Sequence, residues 1–164
     1  MTFKSGAEEL PPTITREGKE YVLQSRVRLP GTLDEIFSFF SNARNLERIT
    51  PALLQFNVLT PDPIEMRVGA QLDYRLKIHH IPVRWRTRIT KWDPPHLFED
   101  LQERGPYKQW IHEHRFVDEG ETTLMQDTVR YRVRGGAIIH TLLVKRDVLA
   151  IFGYREKVFK EIFG

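Results

Sequence analysis

The sequence predicts an α+β fold in which a curved antiparallel sheet of about seven strands packs against one long C-terminal helix. Six segments between residues 53 and 133 alternate apolar and polar residues, as strands with one buried face do. An apolar stripe at helical spacing follows in residues 144–162. The length of 164 residues, with 40% hydrophobic residues, suits one domain with a single core.

The first elements are a strand and two short helices. Residues 1–18 lack sustained periodicity and are interpreted as an extended N-terminal arm, which leaves residues 19–164 as one domain. Alternation over residues 20–29 predicts the first strand. A capping box that begins at Thr32 predicts a short amphipathic helix, and residues 43–49 predict a second one.

The remaining strands follow one another with turn-forming residues between them, which predicts an antiparallel meander. They are residues 53–59, 70–79, 83–92, 97–103, 108–117 and 122–133. Gly135 and Gly136 end this region, and the C-terminal helical pattern begins after them. Because a nearly straight helix across a curved sheet leaves a gap, we expect a cavity between the two.

Alternation also predicts which side chains face this cavity. They are Leu72, Tyr74, Leu76, Ile78, Trp85, Thr87, Ile89, Phe98, Asp100, Gln102, Trp110, His112, His114, Phe116, Met125, Asp127, Val129, Tyr131 and Val133. The most informative strand places two imidazoles, His112 and His114, between the aromatic rings of Trp110 and Phe116. Buried imidazoles need hydrogen-bond partners, so this face is more typical of a ligand pocket than of a dry core.

A longer run of the sequence is similar to a known superfamily. The run extends from Val83-Arg84-Trp85 to Trp110-Ile111-His112-Glu113-His114-Arg115-Phe116. Together with the order of elements over residues 20–163, it resembles the helix-grip proteins of the START and birch-pollen-allergen superfamily (SRPBCC), which includes polyketide cyclases and coenzyme-Q-binding proteins. The resemblance implies a helix-grip fold around an apolar cavity that takes lipids, hormones, aromatic polyketides or quinones. It transfers no catalytic motif to particular residues.

The expected function is therefore the binding of a small hydrophobic ligand that is lipid-like, a quinone or an aromatic polyketide. Contact area would come from Tyr74, Trp85, Trp110, Phe116, Met125, Tyr131, Phe152 and Phe159. Asp100, His112, His114 and Asp127 would orient a polar group of the ligand. A collapsed aromatic core would have the same sequence pattern, and the helix-grip resemblance favours the open pocket.

Two kinds of chemistry compete with simple binding. His112 and Asp127, with His114 and Tyr131, have the residue types of an acid/base set, so a polyketide cyclase or dehydratase is the first alternative. The same residues suit a buried hydrogen-bond network without catalysis. His112 and His114 with Asp100 or Asp127 have the composition of a metal triad. Two histidines are more typical of a polar pocket fixture, and we expect no metal and no cofactor.

The outward face of the sheet is predicted to be basic. It carries Arg84, Arg86, Arg88, Arg130, Arg132 and Arg134. A peripheral membrane or partner-binding module that uses this face is the second alternative, although nearby acidic residues favour a neutralised, solvated surface. No aromatic residues interleave with the arginines on this face, so we expect no nucleic-acid partner.

Composition limits where the protein works. The chain has no cysteine, which excludes disulfides and thiolate chemistry. Residues 1–9 contain no apolar signal-peptide segment, and no run reaches the roughly 20 apolar residues of a membrane-spanning helix. We therefore expect a cytoplasmic monomer or homodimer without stable membrane insertion.

Overall fold

In the computed structural model, which describes residues 8–164, eight strands form one antiparallel sheet. The strands are β1 (Leu10–Glu17), β2 (Glu20–Pro30), β3 (Asn57–Val58), β4 (Gln71–Ile78), β5 (Ile81–Asp93), β6 (Leu97–Arg104), β7 (Gln109–Asp118) and β8 (Thr122–Arg132). Their order across the sheet is β1-β2-β8-β7-β6-β5-β4-β3. Neighbours in sequence are neighbours in space except where β2 lies beside β8, so the predicted meander is confirmed.

The helices also follow the predicted order. They are α1 (Leu33–Phe40), two 3-10 segments (Ala43–Glu47 and Ala52–Leu54), α2 (Gly136–Ile139), a π-helical turn (His140–Val144) and α3 (Lys145–Phe163). The capping box is present, because Thr32 accepts from the Glu35 backbone amide and Glu35 accepts from that of Thr32. Among residues 8–164, no helix is both long enough and apolar enough to cross a bilayer.

The N-terminal arm needs a correction. Its first residues, 1–7, lie outside the described part of the chain, but Leu10–Glu17 is a strand that pairs with β2. The register shifts between Leu10 and Thr13, where two prolines interrupt the alternation and remove backbone donors. Prolines are tolerated there because β1 is an edge strand, and they hid the strand pattern in the sequence. The sheet therefore has eight strands where about seven were predicted.

The strand predicted over residues 53–59 is mostly wrong. Only Asn57–Val58 pairs with β4, and Ala52–Leu54 forms a 3-10 turn that begins directly after Pro51. Gln55 then has a left-handed backbone with φ of 45°, which ends the turn. Leu53 is 78% exposed as a result. The apolar run in this segment imitates a strand, but the proline starts a turn there.

Two apolar clusters fix α3 against the sheet. At one end, Phe37 and Phe40 of α1 pack with Phe116, Met125 and Phe159. At the other end lies a second cluster, composed of Leu23, Val129, Tyr131, Val148 and Phe152. The buried stripe of α3 contributes to both clusters. The helix is therefore anchored twice, and the space between the anchors is where the site lies.

Candidate functional site

A cavity of about 530 Å³ lies between the inner face of the sheet and α3. Apolar and aromatic side chains form most of its wall: Phe56, Met66, Leu72, Tyr74, Leu76, Trp85, Ile89, Phe98, Tyr107, Trp110, Ile151 and Phe152. Exposed lining residues mark its opening: they include Leu53 and, in the β4–β5 hairpin, His79 and His80. His79 Nε2 lies 2.7 Å from Asp147 Oδ2, which ties that hairpin to α3.

Three aromatic rings form one section of the wall. The ring centroids of Trp85 and Trp110 lie 5.6 Å apart at 90°, and those of Tyr107 and Trp110 lie 4.6 Å apart. Burial raises the pKa of Tyr107, and on the same wall it raises that of Tyr74, so both hydroxyls stay neutral. Tyr107 comes from the turn after β6, where strand alternation carries no information.

Four ionisable side chains form a polar group at the same wall, and three of them, His112, His114 and Asp127, are buried. This group, the His–Asp cluster, consists of Asp100, His112, His114 and Asp127. His112 Nε2 lies 2.6 Å from Asp127 Oδ1, and His114 Nε2 lies 2.9 Å from Asp100 Oδ2. His114 Nδ1 is 3.3 Å from the same Asp127 oxygen, close enough for an ion pair but poorly aligned for a hydrogen bond. The two imidazole rings stack with centroids 3.7 Å apart. Both contact Oδ1 of Asp127, so they share one carboxylate.

The strand register assembles this cluster. Asp100 lies opposite His112 across β6–β7, and Asp127 lies opposite His114 across β7–β8. Each Nε2 hydrogen bond therefore runs to the diagonal neighbour on the next strand, within reach of a side chain as long as histidine. Phe98, directly opposite His114, stacks on its ring with centroids 4.1 Å apart. Three adjacent strands are thus joined by side chains as well as by backbone.

The charges within the cluster are unevenly distributed. Burial opposes the charge of Asp100 and Asp127, but the adjacent histidines hold both carboxyl pKa values below the ordinary range. Burial and the charge of His114 lower the pKa of His112. Burial also opposes a charge on His114, but its contacts with Asp100 and Asp127 outweigh burial and raise its pKa. These directions make His114 the more readily protonated of the two imidazoles. When His112 is neutral and donates Nε2–H to Asp127, its Nδ1 is a proton acceptor.

The cluster has the composition and the close spacing of a metal site, but its imidazole rings are stacked. Asp100, His112 and His114 each offer one ligand atom, and these atoms lie within 4.8 Å of one another. Imidazole lone pairs lie in the ring plane, so an ion shared by two stacked rings would sit far out of both planes. Each Nε2 already has a carboxylate partner. The arrangement fits a hydrogen-bond network better than a metal centre.

Arg155 also lines the cavity, and nothing in the sequence pattern singles it out as functional. It lies on the buried stripe of α3 between Phe152 and Phe159 and is 8% exposed. Its guanidinium carbon lies 5.0 Å from the Phe152 ring centroid and 5.6 Å from that of Phe159. Its spacing of three and four residues from these phenylalanines is the signal that could have placed it inward.

The predicted site residues divide into two sets. Those that line the cavity are Tyr74, Trp85, Asp100, Trp110, His112, His114 and Phe152. The others lie behind the wall: Phe116, Met125, Asp127, Tyr131 and Phe159. Within this second set Asp127 holds the imidazoles, and the Tyr131 hydroxyl lies 2.8 Å from His140 Nε2. All the predicted strand residues face inward, but the cavity does not extend along the whole face.

On the outer face of the sheet, acidic residues pair with the arginines. Arg86 donates to Asp73 through Nε and Nη2, at 2.9 and 3.2 Å. Arg88 pairs with Glu103, and Arg130 with Glu17 at 2.8 Å. These pairs neutralise part of the basic face, as the solvated-surface interpretation expects.

Comparison with known proteins identifies a family and a fold. The chain matches the family model described as polyketide cyclase / dehydrase and lipid transport over residues 29–147. No curated protein shows significant similarity. Among solved structures, protein Ms6760 from Mycobacterium smegmatis superposes with a TM-score of 0.71 at 14% identity, covering 94% of this chain and 98% of that one.

Two further solved structures have names that describe them more fully. The Zhui aromatase/cyclase from Streptomyces sp. R1128 has a TM-score of 0.62 at 12% identity, covering 87% of this chain and 96% of that one. Major latex-like protein 151 from Panax ginseng has a TM-score of 0.57 at 17% identity, covering 82% and 99% respectively. At these identities the likeness establishes the helix-grip fold alone.

The two histidines should titrate on opposite sides of the ordinary histidine pKa of 6.5, as followed by NMR of their Cε1 protons. We expect His112 below and His114 above this value. Asp127→Asn removes the shared carboxylate, so the His114 pKa should fall. Glu113 lies between the two histidines in sequence but on the outer face of the sheet. Glu113→Gln is therefore the control, and it should change the pKa of neither histidine. Coincident titration of both imidazoles would contradict this charge assignment.

The same assignment predicts how folding stability depends on pH. The contribution of His114 is fully present below pH 6.5 and lost as pH rises through its raised folded pKa. The contribution of Asp127 is present above pH 3.8 and lost as pH falls through its lowered folded pKa. Denaturant unfolding of the wild type and of Asp127→Asn, at pH values from below 3.8 to above 6.5, measures both contributions to the free energy of unfolding. The acid-side loss should be smaller in the variant.

Proposed function

The chain belongs to the polyketide cyclase / dehydrase and lipid transport family, and on this premise we propose that it binds one small hydrophobic molecule in the cavity. The cavity itself carries the proposal, because about 530 Å³ falls within the roughly 300–1,000 Å³ of typical ligand pockets. Its wall is mainly apolar and aromatic with few polar groups, as ligand sites are. A lipid-like molecule, a quinone or an aromatic polyketide would match it.

Each part of the wall has a role in this proposal. Tyr74, Trp85, Trp110 and Phe152 supply apolar and aromatic contact area. Asp100, His112 and His114 present polar atoms that orient one end of the ligand. We assign supporting roles to the predicted residues behind the wall: Phe116, Met125, Tyr131 and Phe159 hold its shape by packing, and Asp127 orients the imidazoles.

Filling the cavity should abolish binding. Leu76 lies on β4 and lines the cavity without belonging to a core cluster, so Leu76→Trp places an indole in the proposed ligand volume. We expect isothermal titration with oleic acid, menadione and 1,8-dihydroxyanthraquinone to show one-to-one binding of at least one probe to the wild type. Affinity should fall at least about tenfold in the variant, since much of the apolar contact is lost.

The control for this experiment is Ile138→Trp, which adds the same ring at a 72% exposed position outside the lining. It should bind as the wild type does. Circular dichroism checks that both variants fold. Unchanged affinity in folded Leu76→Trp would mean that the probe binds elsewhere, and failure of every probe to bind the wild type would contradict the proposal.

A second candidate function is proton transfer on a bound carbonyl compound, as in a polyketide cyclase or dehydratase. The 2.6 Å contact between His112 and Asp127 at the cavity wall favours it. A carboxylate that accepts Nε2–H orients the ring and stabilises the imidazolium that forms when Nδ1 takes a proton. The transferred proton would come from a carbon next to the ketone, leaving an enolate that later takes a proton back.

This candidate is tested with 2-tetralone, a flat bicyclic ketone with an acidic methylene group. NMR in D₂O follows deuterium exchange at that carbon. A general base at the wall should accelerate exchange about 100-fold over free imidazole at equal concentration. His112→Gln should remove the acceleration, and Glu113→Gln should keep it. Exchange at the rate of free imidazole would exclude this role and leave binding alone.

A further inference from the structure

Arg155 is a charged side chain of the cavity wall with unused hydrogen-bond donors. Nε and Nη2 of Arg155 are buried at the lining and have no partner among residues 8–164. Asp100 and Asp127 attract this guanidinium, but both are hydrogen-bonded to the histidines and neither forms an ion pair with it. The rings of Phe152 and Phe159 cover the guanidinium without offering an oxygen acceptor.

This arrangement is costly as long as the donors have no acceptor. Arginine does not lose its proton in proteins, so Arg155 cannot relieve its burial by becoming neutral. A buried donor without an acceptor destabilises the fold, and more so when it is charged. The contacts with the two phenylalanine rings offset only part of this cost. An acceptor on a ligand would remove the remainder.

The unused donors define the shape of that acceptor. Nε and Nη2 form one planar edge of the guanidinium, which matches the two oxygens of a carboxylate. The protein uses the same edge on its outer face, where Arg86 donates through Nε and Nη2 to the two carboxylate oxygens of Asp73. On Arg155 the corresponding edge is buried in the wall of a mainly apolar cavity.

We propose that the ligand is an amphiphilic carboxylic acid whose carboxylate binds the Nε/Nη2 edge of Arg155 while its apolar body fills the cavity. This inference rests on the proposed function, because it requires a ligand in that cavity. A fatty acid and an aromatic acid share the carboxylate that Arg155 recognises. They differ in the body that lies against the aromatic wall formed by Trp85, Tyr107 and Trp110.

Matched acids and amides test the proposal by isothermal titration at pH 8. The probes are dodecanoic acid and 2-naphthoic acid, each beside its primary amide, which has nearly the same shape and no charge. We expect at least one acid to bind about tenfold or more tightly than its amide, as paired hydrogen bonds to a charged group allow. The acid that binds more tightly shows whether the apolar part of the ligand is an alkyl chain or an aromatic ring system.

Variants assign the preference to Arg155. Arg155→Gln keeps a polar group on a shorter side chain but lacks the charge, so the acid should lose at least about tenfold in affinity and the amide should change little. Arg155→Lys, which keeps the charge without the planar edge, should lose part of the preference. Arg86→Gln, on the outer face, is the control and should change neither ligand. Circular dichroism checks that each variant folds.

A second readout needs no ligand. Because the unpaired guanidinium destabilises the empty protein, Arg155→Met should raise the melting temperature of the ligand-free form. The preferred acid should then stabilise the wild type and not the variant. A lower melting temperature in folded Arg155→Met would mean that the arginine is satisfied without a ligand, which overturns the inference.

The outcomes separate this inference from the proposed function. Equal binding of acid and amide, or an acid preference that survives in Arg155→Gln, overturns the role of Arg155 and leaves hydrophobic binding intact. If menadione or the anthraquinone binds and neither acid does, the role of Arg155 is likewise overturned and hydrophobic binding is left intact. Failure of all probes to bind the wild type overturns both.

Discussion

A single buried carboxylate, that of Asp127, is shared by the stacked imidazoles of His112 and His114 at the centre of the sheet. Buried ionised groups cost several kcal/mol unless they are paired, so this sharing succeeds only where β7 and β8 keep their register. A slip of one residue would turn both histidines to the outer face. The interaction therefore specifies the sheet register, and it also places a polar group in a mainly apolar wall.

The cavity persists because packing is complete only at its two ends. The α1 cluster around Phe40 and Phe159 holds one part of α3, and the cluster around Leu23 and Val148 holds another. Between these anchors lie the His–Asp cluster and Arg155. Collapse of the helix onto this region would bury charged groups still more deeply without adding partners. These polar groups therefore oppose closure of the cavity.

Alternation predicted the sheet faces well because a strand has only two of them. It placed Trp85, Trp110, His112 and His114 inward, and the structure agrees. The same rule does not predict where along the inner face the cavity lies. It therefore did not separate the residues that line the cavity from Phe116 and its neighbours, which pack in a solid core. The distinction depends on where α1 and α3 lie across the sheet, which is a property of tertiary packing.

The features that the sequence analysis did not predict have physical causes at particular residues. Prolines at the edge strand removed the alternation of β1, and Pro51 converted an apolar run into a turn. Arg155 was missed because a charged residue on an apolar stripe is ordinarily assigned to the solvent side. Sequence rules describe satisfied interiors, and a ligand site is where an interior is left unsatisfied.

In the proposed function, a small molecule completes this unsatisfied interior. The most direct test compares native and denaturing mass spectra of the protein purified from its own host. We expect one added mass per chain in the native spectrum, released on denaturation and identified by fragmentation as a hydrophobic carboxylic acid. A native spectrum that shows only the bare chain would contradict it.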